Sequence, residues 1–315
     1  MPSERERAGG IAKDRGSTAV RACEPASLAA VLARVVAELR MAGVEEAAAE
    51  ARELVMVAAK LDAVDVLMRG ERVLDAAAVA RIEEFARRRA AHEPISRIAG
   101  EREFYGRAFA LSSGTLDPRA DTETVVSATL AIIREQGWQQ KPLRLLDVGT
   151  GSGAIIVTLL AELPAASGLG IDISADALAT AGKNAIRHGV ANRLLLVERD
   201  VRNGIEGAFD LIVANPPYIP SGDIAGLEPE VCCHDPRAAL DGGPDGLDFY
   251  RTLAGLEGQL APSGWMLVEV GAGQVADVRP ILAGCAAGIE IRTFQDLGGH
   301  TRVVAVQPHM GACSE

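Results

Sequence analysis

The four residues Asn215-Pro216-Pro217-Tyr218 carry the most specific chemistry in the chain. They follow the apolar run Phe209-Asp210-Leu211-Ile212-Val213-Ala214, which reads as a buried strand. Two consecutive prolines forbid both helix and ladder, so Asn215 is expected at the carboxyl end of that strand, on a rigid turn. Open α/β sheets bind their ligands at that edge. The Asn215 amide, the Pro216 carbonyl and the Tyr218 ring can together hold a planar amide. The competing readings are a stiff loop with a capping Asn, and simple packing for Tyr218.

A second constellation, Asp147-Val148-Gly149-Thr150-Gly151-Ser152-Gly153, lies between an apolar strand and a helix. Its glycines let backbone approach a ligand, and the helix start offers free N–H groups. The G-x-G-x-G spacing departs from the G-x-G-x-x-G of dinucleotide folds. Asp147 would suit an ammonium group and repel a pyrophosphate. Asp172, ending the next strand, can take two ribose hydroxyls or cap the helix near Ser174. Asp200 and Val201, after the third strand, can face an adenine amino group and ring. The expected cofactor set is Asp147, Gly149, Thr150, Gly151, Ser152, Gly153, Asp172, Asp200, Val201 and Asn215. It suits a nucleoside carrying an amino acid, which describes S-adenosylmethionine.

The elements that must position these residues follow from periodicity. Residues 1–24 show no pattern and read as a disordered tail. Ser27 reads as an N-cap, and amphipathic helices over about 28–42, 44–60, 63–69 and 75–91 form a small bundle, the domain 25–94. A hairpin around Gly106 and the turn Pro118-Arg119-Ala120-Asp121 make a connector over 95–121, after which Asp121 or Thr122 caps a helix. From there, 122–315 reads as one α/β domain. Its strands are expected at 143–148, 168–172, 194–197, 209–214, 265–270, 289–294 and 302–306, with helices at 153–163, 176–188, 247–260 and 273–283. The last two strands lack an intervening helix and are expected as an antiparallel pair.

Length and charge bound the function. The 315 residues suffice for two domains, and the net charge of −11 disfavours broad contact with a phosphate backbone. No apolar run approaches the roughly 18 residues of a membrane span, and the first residues lack a signal-peptide core. A cytoplasmic protein is expected. Five cysteines lack C-x-x-C spacing, and Cys232-Cys233-His234 has no second pair to complete a metal site, so no metal is expected.

Taken together, Gly149 to Gly153, Asp172, Asp200 and Asn215-Pro216-Pro217-Tyr218 resemble a class I methyltransferase acting on a planar nitrogen. Pro118-Arg119-Ala120-Asp121-Thr122-Glu123 is similar to the P-R-P-(D/E)-T-E segment of release-factor glutamine methyltransferases of the HemK type. Glu93-Pro94, Gly100, Phe104 and Gly106 match the segment before it. Asp235-Pro236-Arg237-Ala238-Ala239-Leu240, Gly242-Gly243-Pro244-Asp245-Gly246-Leu247 and Asp296-Leu297-Gly298-Gly299-His300-Thr301-Arg302-Val303-Val304 resemble further motifs of that family. The likeness runs from about residue 25 to 308. Asp117, Ala120 and His234-Asp235 depart from the family pattern.

The resemblance implies a Rossmann-like seven-stranded sheet behind an N-terminal helical bundle that grips a protein substrate. The implied reaction is N5-methylation of the glutamine in the Gly-Gly-Gln loop of peptide chain release factors, with S-adenosylhomocysteine as product. Asn215 and Pro216 would accept the amide N–H bonds, Pro217 would stiffen the turn, and Tyr218 would lie against the amide plane. A ribosomal-protein glutamine is an alternative target. Amino-methylation of a nucleic-acid base would require a basic recognition region that this chain lacks. A cofactor-binding module without turnover is disfavoured by the intact Asn215 and glycine loop. Arg119 and Glu123 can form an interdomain ion pair or cap the following helix.

Overall fold

A computed structural model describes residues 24–284 and 289–308, so the tail expected over 1–24 lies, but for Glu24, outside the described residues. The chain divides into two compact units, Met1–Arg87 and Arg88–Glu315.

In the first unit, β1 (Ala26–Ser27) leads directly into α1 (Leu28–Met41). Ser27 Oγ accepts from the Ala30 N–H at 3.3 Å, the expected N-cap, and Leu28, Val31, Val35 and Leu39 form the buried face. Next come α2 (Ala47–Ala59), ended by Lys60 in the left-handed region, and α3 (Ala63–Met68), capped by Asp62. Then β2 (Val73–Leu74) pairs antiparallel with β1. Two-residue strands carry no readable alternation, and sequence pattern did not reveal this pair. Helix α4 (Ala76–Ala90) begins in this unit and buries Val79, Ile82 and Ala86.

The second unit opens with α5 (Ile95–Ala99), a short helix absent from the periodicity reading, stopped by Gly100. The hairpin of β3 (Glu101–Phe104) and β4 (Arg107–Ala110) turns at Tyr105 and Gly106, both at positive φ, as a two-residue turn requires. A 3-10 turn at Ala120–Thr122 leads into α6 (Glu123–Glu135).

Strand and helix then alternate: β5 (Arg144–Val148), α7 (Ala154–Glu162), β6 (Ser167–Asp172), α8 (Ala175–Arg187), β7 (Leu194–Glu198) and β8 (Phe209–Ala214). They are followed by α9 (Pro229–Cys232), α10 (Asp248–Ala254), β9 (Leu260–Glu269), α11 (Val275–Ala283), β10 (Ile289–Gln295) and β11 (Thr301–Pro308). The helix expected over 247–260 stops at Ala254, where Gly255 and a 3-10 turn at Glu257–Gln259 hand the chain to β9.

These strands form one seven-stranded sheet in the order β10-β11-β9-β8-β5-β6-β7. Strands β9, β8, β5, β6 and β7 are parallel, while β11 runs antiparallel to both β9 and β10. The final antiparallel pair is thus as expected. On one face, Leu211, Val213, Trp265 and Leu267 pack with Val125, Ile132, Ile156 and Leu160 of α6 and α7. On the other, Ile212, Ala214, Met266 and Val268 pack with Tyr250, Leu253, Val278 and Leu282 of α10 and α11. Strand β5 has β6 on one side and β8 on the other, and this reversal of strand order opens a crevice at the carboxyl ends.

Candidate active site

Two loops at that crevice carry the chemistry. After β5, Gly149, Gly151 and Gly153 all adopt positive φ (71°, 55° and 80°), which side chains resist. The Gly149 and Thr150 N–H groups both donate to Ile171 O at 2.9 Å, holding the loop against β6. Asn184 of α8 braces it from behind, donating Nδ2 to Ser152 O at 2.8 Å and exchanging hydrogen bonds with the Ala110 backbone.

Asp172 at the end of β6 accepts from the Gly151 N–H on one oxygen and the Ser174 N–H on the other, both at 2.9 Å. Ser174, rather than Asp172, caps α8 by accepting from the Ala177 N–H. Asp172 is therefore oriented with lone pairs left over. Asp200 stands on the rim in an ion pair with Arg202 at 2.7 Å, and hydrogen bonds from that side chain hold its carboxyl below the usual range.

A cavity of about 380 Å³ runs along these groups, lined by Gly149, Thr150, Gly151, Ser152, Asp172, Asp200, Val201, Asn215 and Pro217 among others. Two expected cofactor residues lie outside its wall. Gly153 is the N-cap of α7, and a Cβ there would come within 3.2 Å of Ala181 and Val157. Asp147 is 1% exposed beneath the loop, where Thr150 Oγ1 donates to Oδ2 at 2.7 Å. Its Oδ1 has no hydrogen-bond partner among the described residues. Burial, opposed by the Thr150 hydrogen bond, pushes its pKa up to about 7.

A second cavity of about 210 Å³ adjoins the first and is lined by Pro216, Tyr218, Arg119, Leu240 and Asn215. Asn215, Leu116 and Ala239 border both cavities. The turn between them is braced on every side. The Ile219 N–H donates to Leu240 O at 3.0 Å, the Gly242 N–H to Ile219 O at 2.9 Å, and Gln274 Nε2 to Tyr218 O at 2.9 Å. Burial, then the nearby Glu269 carboxyl, pushes the Tyr218 phenol up to about 12, so it stays neutral and offers a ring rather than a base.

Several supporting residues were not singled out from sequence. Gln274 holds the Tyr218 carbonyl, and Tyr250 donates to the Glu269 backbone carbonyl at 3.0 Å. Arg119 and Glu123 do not pair: Arg119 binds Asp235, while Glu123 Oε1 accepts from the Tyr105 N–H at 2.9 Å. Cys232 and Cys233 are exposed with Sγ atoms 3.4 Å apart, and no group of His, Cys, Asp and Glu among the described residues could hold a metal ion. No described helix is long and apolar enough to cross a membrane.

Comparison with known proteins places this architecture. Residues 30–100 match the PrmC N-terminal domain and residues 128–226 the methyltransferase small domain. The chain is 45% identical over 274 residues to the release factor glutamine methyltransferase of Bradyrhizobium diazoefficiens, covering 87% of this chain and 92% of that protein. Proteins of the same name from Rhodospirillum rubrum (46% identity, 87% and 83% covered) and Agrobacterium fabrum (42%, 89% and 96%) are comparably similar. Among solved structures, the hMettl16 catalytic domain in complex with MAT2A 3′UTR hairpin 1 superposes with a TM-score of 0.53. It is 16% identical, covering 82% of this chain and 92% of that one, a likeness of fold alone.

Proposed function

This chain belongs to the release factor glutamine methyltransferase family, and from that premise we propose how its site performs S-adenosylmethionine-dependent N5-methylation of the Gly-Gly-Gln glutamine of peptide chain release factors. The observation that carries the assignment is the pair of adjoining cavities that meet at Asn215. The larger fits the methyl donor. Gly149 and Gly151 bring backbone to its wall, Asp172 is oriented for ribose hydroxyls, and Asp200 and Val201 stand where adenine would lie. When bound there, S-adenosylmethionine supplies an electrophilic methyl on a sulfonium. Asp147, buried beneath the loop with an orphan oxygen, favours a cationic amino group nearby.

The smaller cavity takes the glutamine side chain. An amide nitrogen is a poor nucleophile because its lone pair is delocalised. The Asn215 side-chain oxygen and the Pro216 carbonyl accept its two N–H bonds, favour a pyramidal nitrogen and leave the lone pair facing the first cavity. Tyr218 sets the amide plane with its ring. Positioning and fixed dipoles carry this step, and the proton leaves afterward to water. The 25–94 segment is assigned to gripping the protein substrate, and the setting is cytoplasmic.

The test is incubation with labelled S-adenosylmethionine and, separately, a release factor, a ribosomal protein and duplex DNA. Label in the release factor at glutamine is expected. Label in DNA alone would overturn the assignment.

A further inference from the structure

Asn215 can hold a substrate amide only if it presents its oxygen. The same side chain turned by half a rotation would offer hydrogens to hydrogens. What decides between the two is its neighbour Thr122, which also lines the larger cavity. Asn215 Nδ2 donates to Thr122 Oγ1 at 3.0 Å. Thr122 occupies the N-cap position of α6, is 4% exposed, and yet its hydroxyl makes no cap hydrogen bond. Beside it lies the carboxyl of Glu269, whose ionised form the Thr122 hydroxyl favours. Glu269 ends β9, is 2% exposed, and its Oε2 has no hydrogen-bond partner among the described residues.

Strand register brings the three together. Ala214 of β8 pairs in parallel with Val268 of β9, and Asn215 and Glu269 each follow by one residue. Side chains alternate along strands, so both project to the face that α6 covers, where Val213 and Leu267 already pack. A hydroxyl has one hydrogen. While Thr122 gives it to the Glu269 carboxylate, its oxygen can only accept from Asn215. The Asn215 amide is then held with Nδ2 inward and Oδ1 free.

We propose that Thr122 and Glu269 are positioning residues that lock the Asn215 amide with its oxygen toward the substrate nitrogen. The inference rests on the reading of Asn215 as an acceptor for the glutamine amide. The groups facing Glu269 are Asp121, Arg302, Arg119, Tyr218 and Tyr250. Both arginines favour its carboxylate and Asp121 opposes it, while burial, the largest effect, pushes its pKa up to about 7. Once protonated, Glu269 can donate to Thr122, whose hydrogen is then free to bind the Asn215 oxygen. The lock is released in that state.

The experiment compares Thr122→Val, Thr122→Ser, Glu269→Gln, Asn215→Ala and the Thr122→Val/Asn215→Ala double variant in the full chain. Methylation of a release factor is followed between about pH 6 and 8.5, with cofactor affinity measured alongside. Thr122→Val should lower kcat on the order of 10- to 100-fold with KM and cofactor Kd within about threefold, and Thr122→Ser should recover most of it. The double variant should be no slower than Asn215→Ala alone. Wild-type kcat should fall as pH drops through about 7, and Glu269→Gln should be slow and flat there. Wild-type kcat in Thr122→Val, or losses that multiply in the double variant, would overturn the lock while leaving Asn215 in place. Unchanged turnover in Asn215→Ala would instead sink the acceptor reading itself.

Discussion

Asp235 and Arg119 form an ion pair of 2.6 Å that ties the segment after α9 to the turn before α6. The other Asp235 oxygen takes Arg97 Nη2 at 2.5 Å, and Arg97 in turn donates to Ser112 O and Thr115 O. Arg119 lines the smaller cavity, whereas Pro236 and Ala238 line the larger, so one carboxylate braces the walls of both. In the sequence, Asp235 stands out as the start of a segment resembling a family motif and as a departure from its pattern, not as a bridge.

Removing this carboxylate should therefore affect stability before chemistry. Asp235→Ala leaves the buried Arg97 guanidinium without its counter-charge, a loss of about 3–5 kcal/mol. Urea unfolding should show a lower midpoint with an unchanged slope. A midpoint within error of wild type would mean the bridge contributes nothing.

Asn215→Ala should cut kcat by on the order of 10²- to 10³-fold, a larger loss than it causes in cofactor affinity. Pro216→Ala keeps the main-chain carbonyl and removes only stiffness, so it should cost less than about tenfold. Steady-state kinetics on both variants check the ranking; a larger loss in Pro216→Ala would contradict it.

Gly242 offers a test of how tightly the turn is fixed. A Cβ there would meet Pro217 O at 2.8 Å and Gly246 Cα at 2.9 Å, both backbone atoms that cannot swing aside. Gly242→Ala should displace the Asn215–Tyr218 turn and lower kcat by at least about tenfold while the glycine loop still binds cofactor. Calorimetric titration with S-adenosylhomocysteine separates the two effects.

Buried acids give stability a definite pH sign. The folded pKa of Asp147 is pushed up to about 7 from 3.8, chiefly by burial, so the fold prefers it protonated. Its contribution is fully present below about pH 4 and is lost as pH rises through 7, a swing of about 4 kcal/mol. Asp147→Asn should be stabilising relative to wild type by an amount that grows between about pH 4 and 7 and then levels off. Denaturant midpoints at several pH values measure that difference; a difference independent of pH would refute the burial argument. Glu269 acts with the same sign from its own value of about 7.

Much of this architecture was legible because it is written in local signals. Alternation and glycine placement marked the sheet domain, and the paired prolines fixed where β8 ends. Ser27 announced its own helix. The supporting set behind Asn215 was harder to see. Thr122 reads as an ordinary cap, and its hydroxyl is diverted only because β8 is brought against the start of α6. Glu269 reads as the polar end of an apolar strand, yet the six residues Gly264 to Glu269 are all buried. Counting register from Asn215 across to β9 would have flagged it. Asp235 meets Arg97 and Arg119 across separations of 138 and 116 residues, beyond any local pattern.

The parallel pairing of Ala214 with Val268 also limits how this site can change by insertion or deletion. A residue added within β9 ahead of Glu269 shifts its alternation by one and turns the carboxyl to the α10 side of the sheet. The same addition within β8 would turn Asn215 away from Thr122. Length changes in either strand must therefore occur in pairs or fall beyond the strand ends, which leaves the loops after Tyr218 and after Glu269 as the places where the chain can lengthen without losing phase.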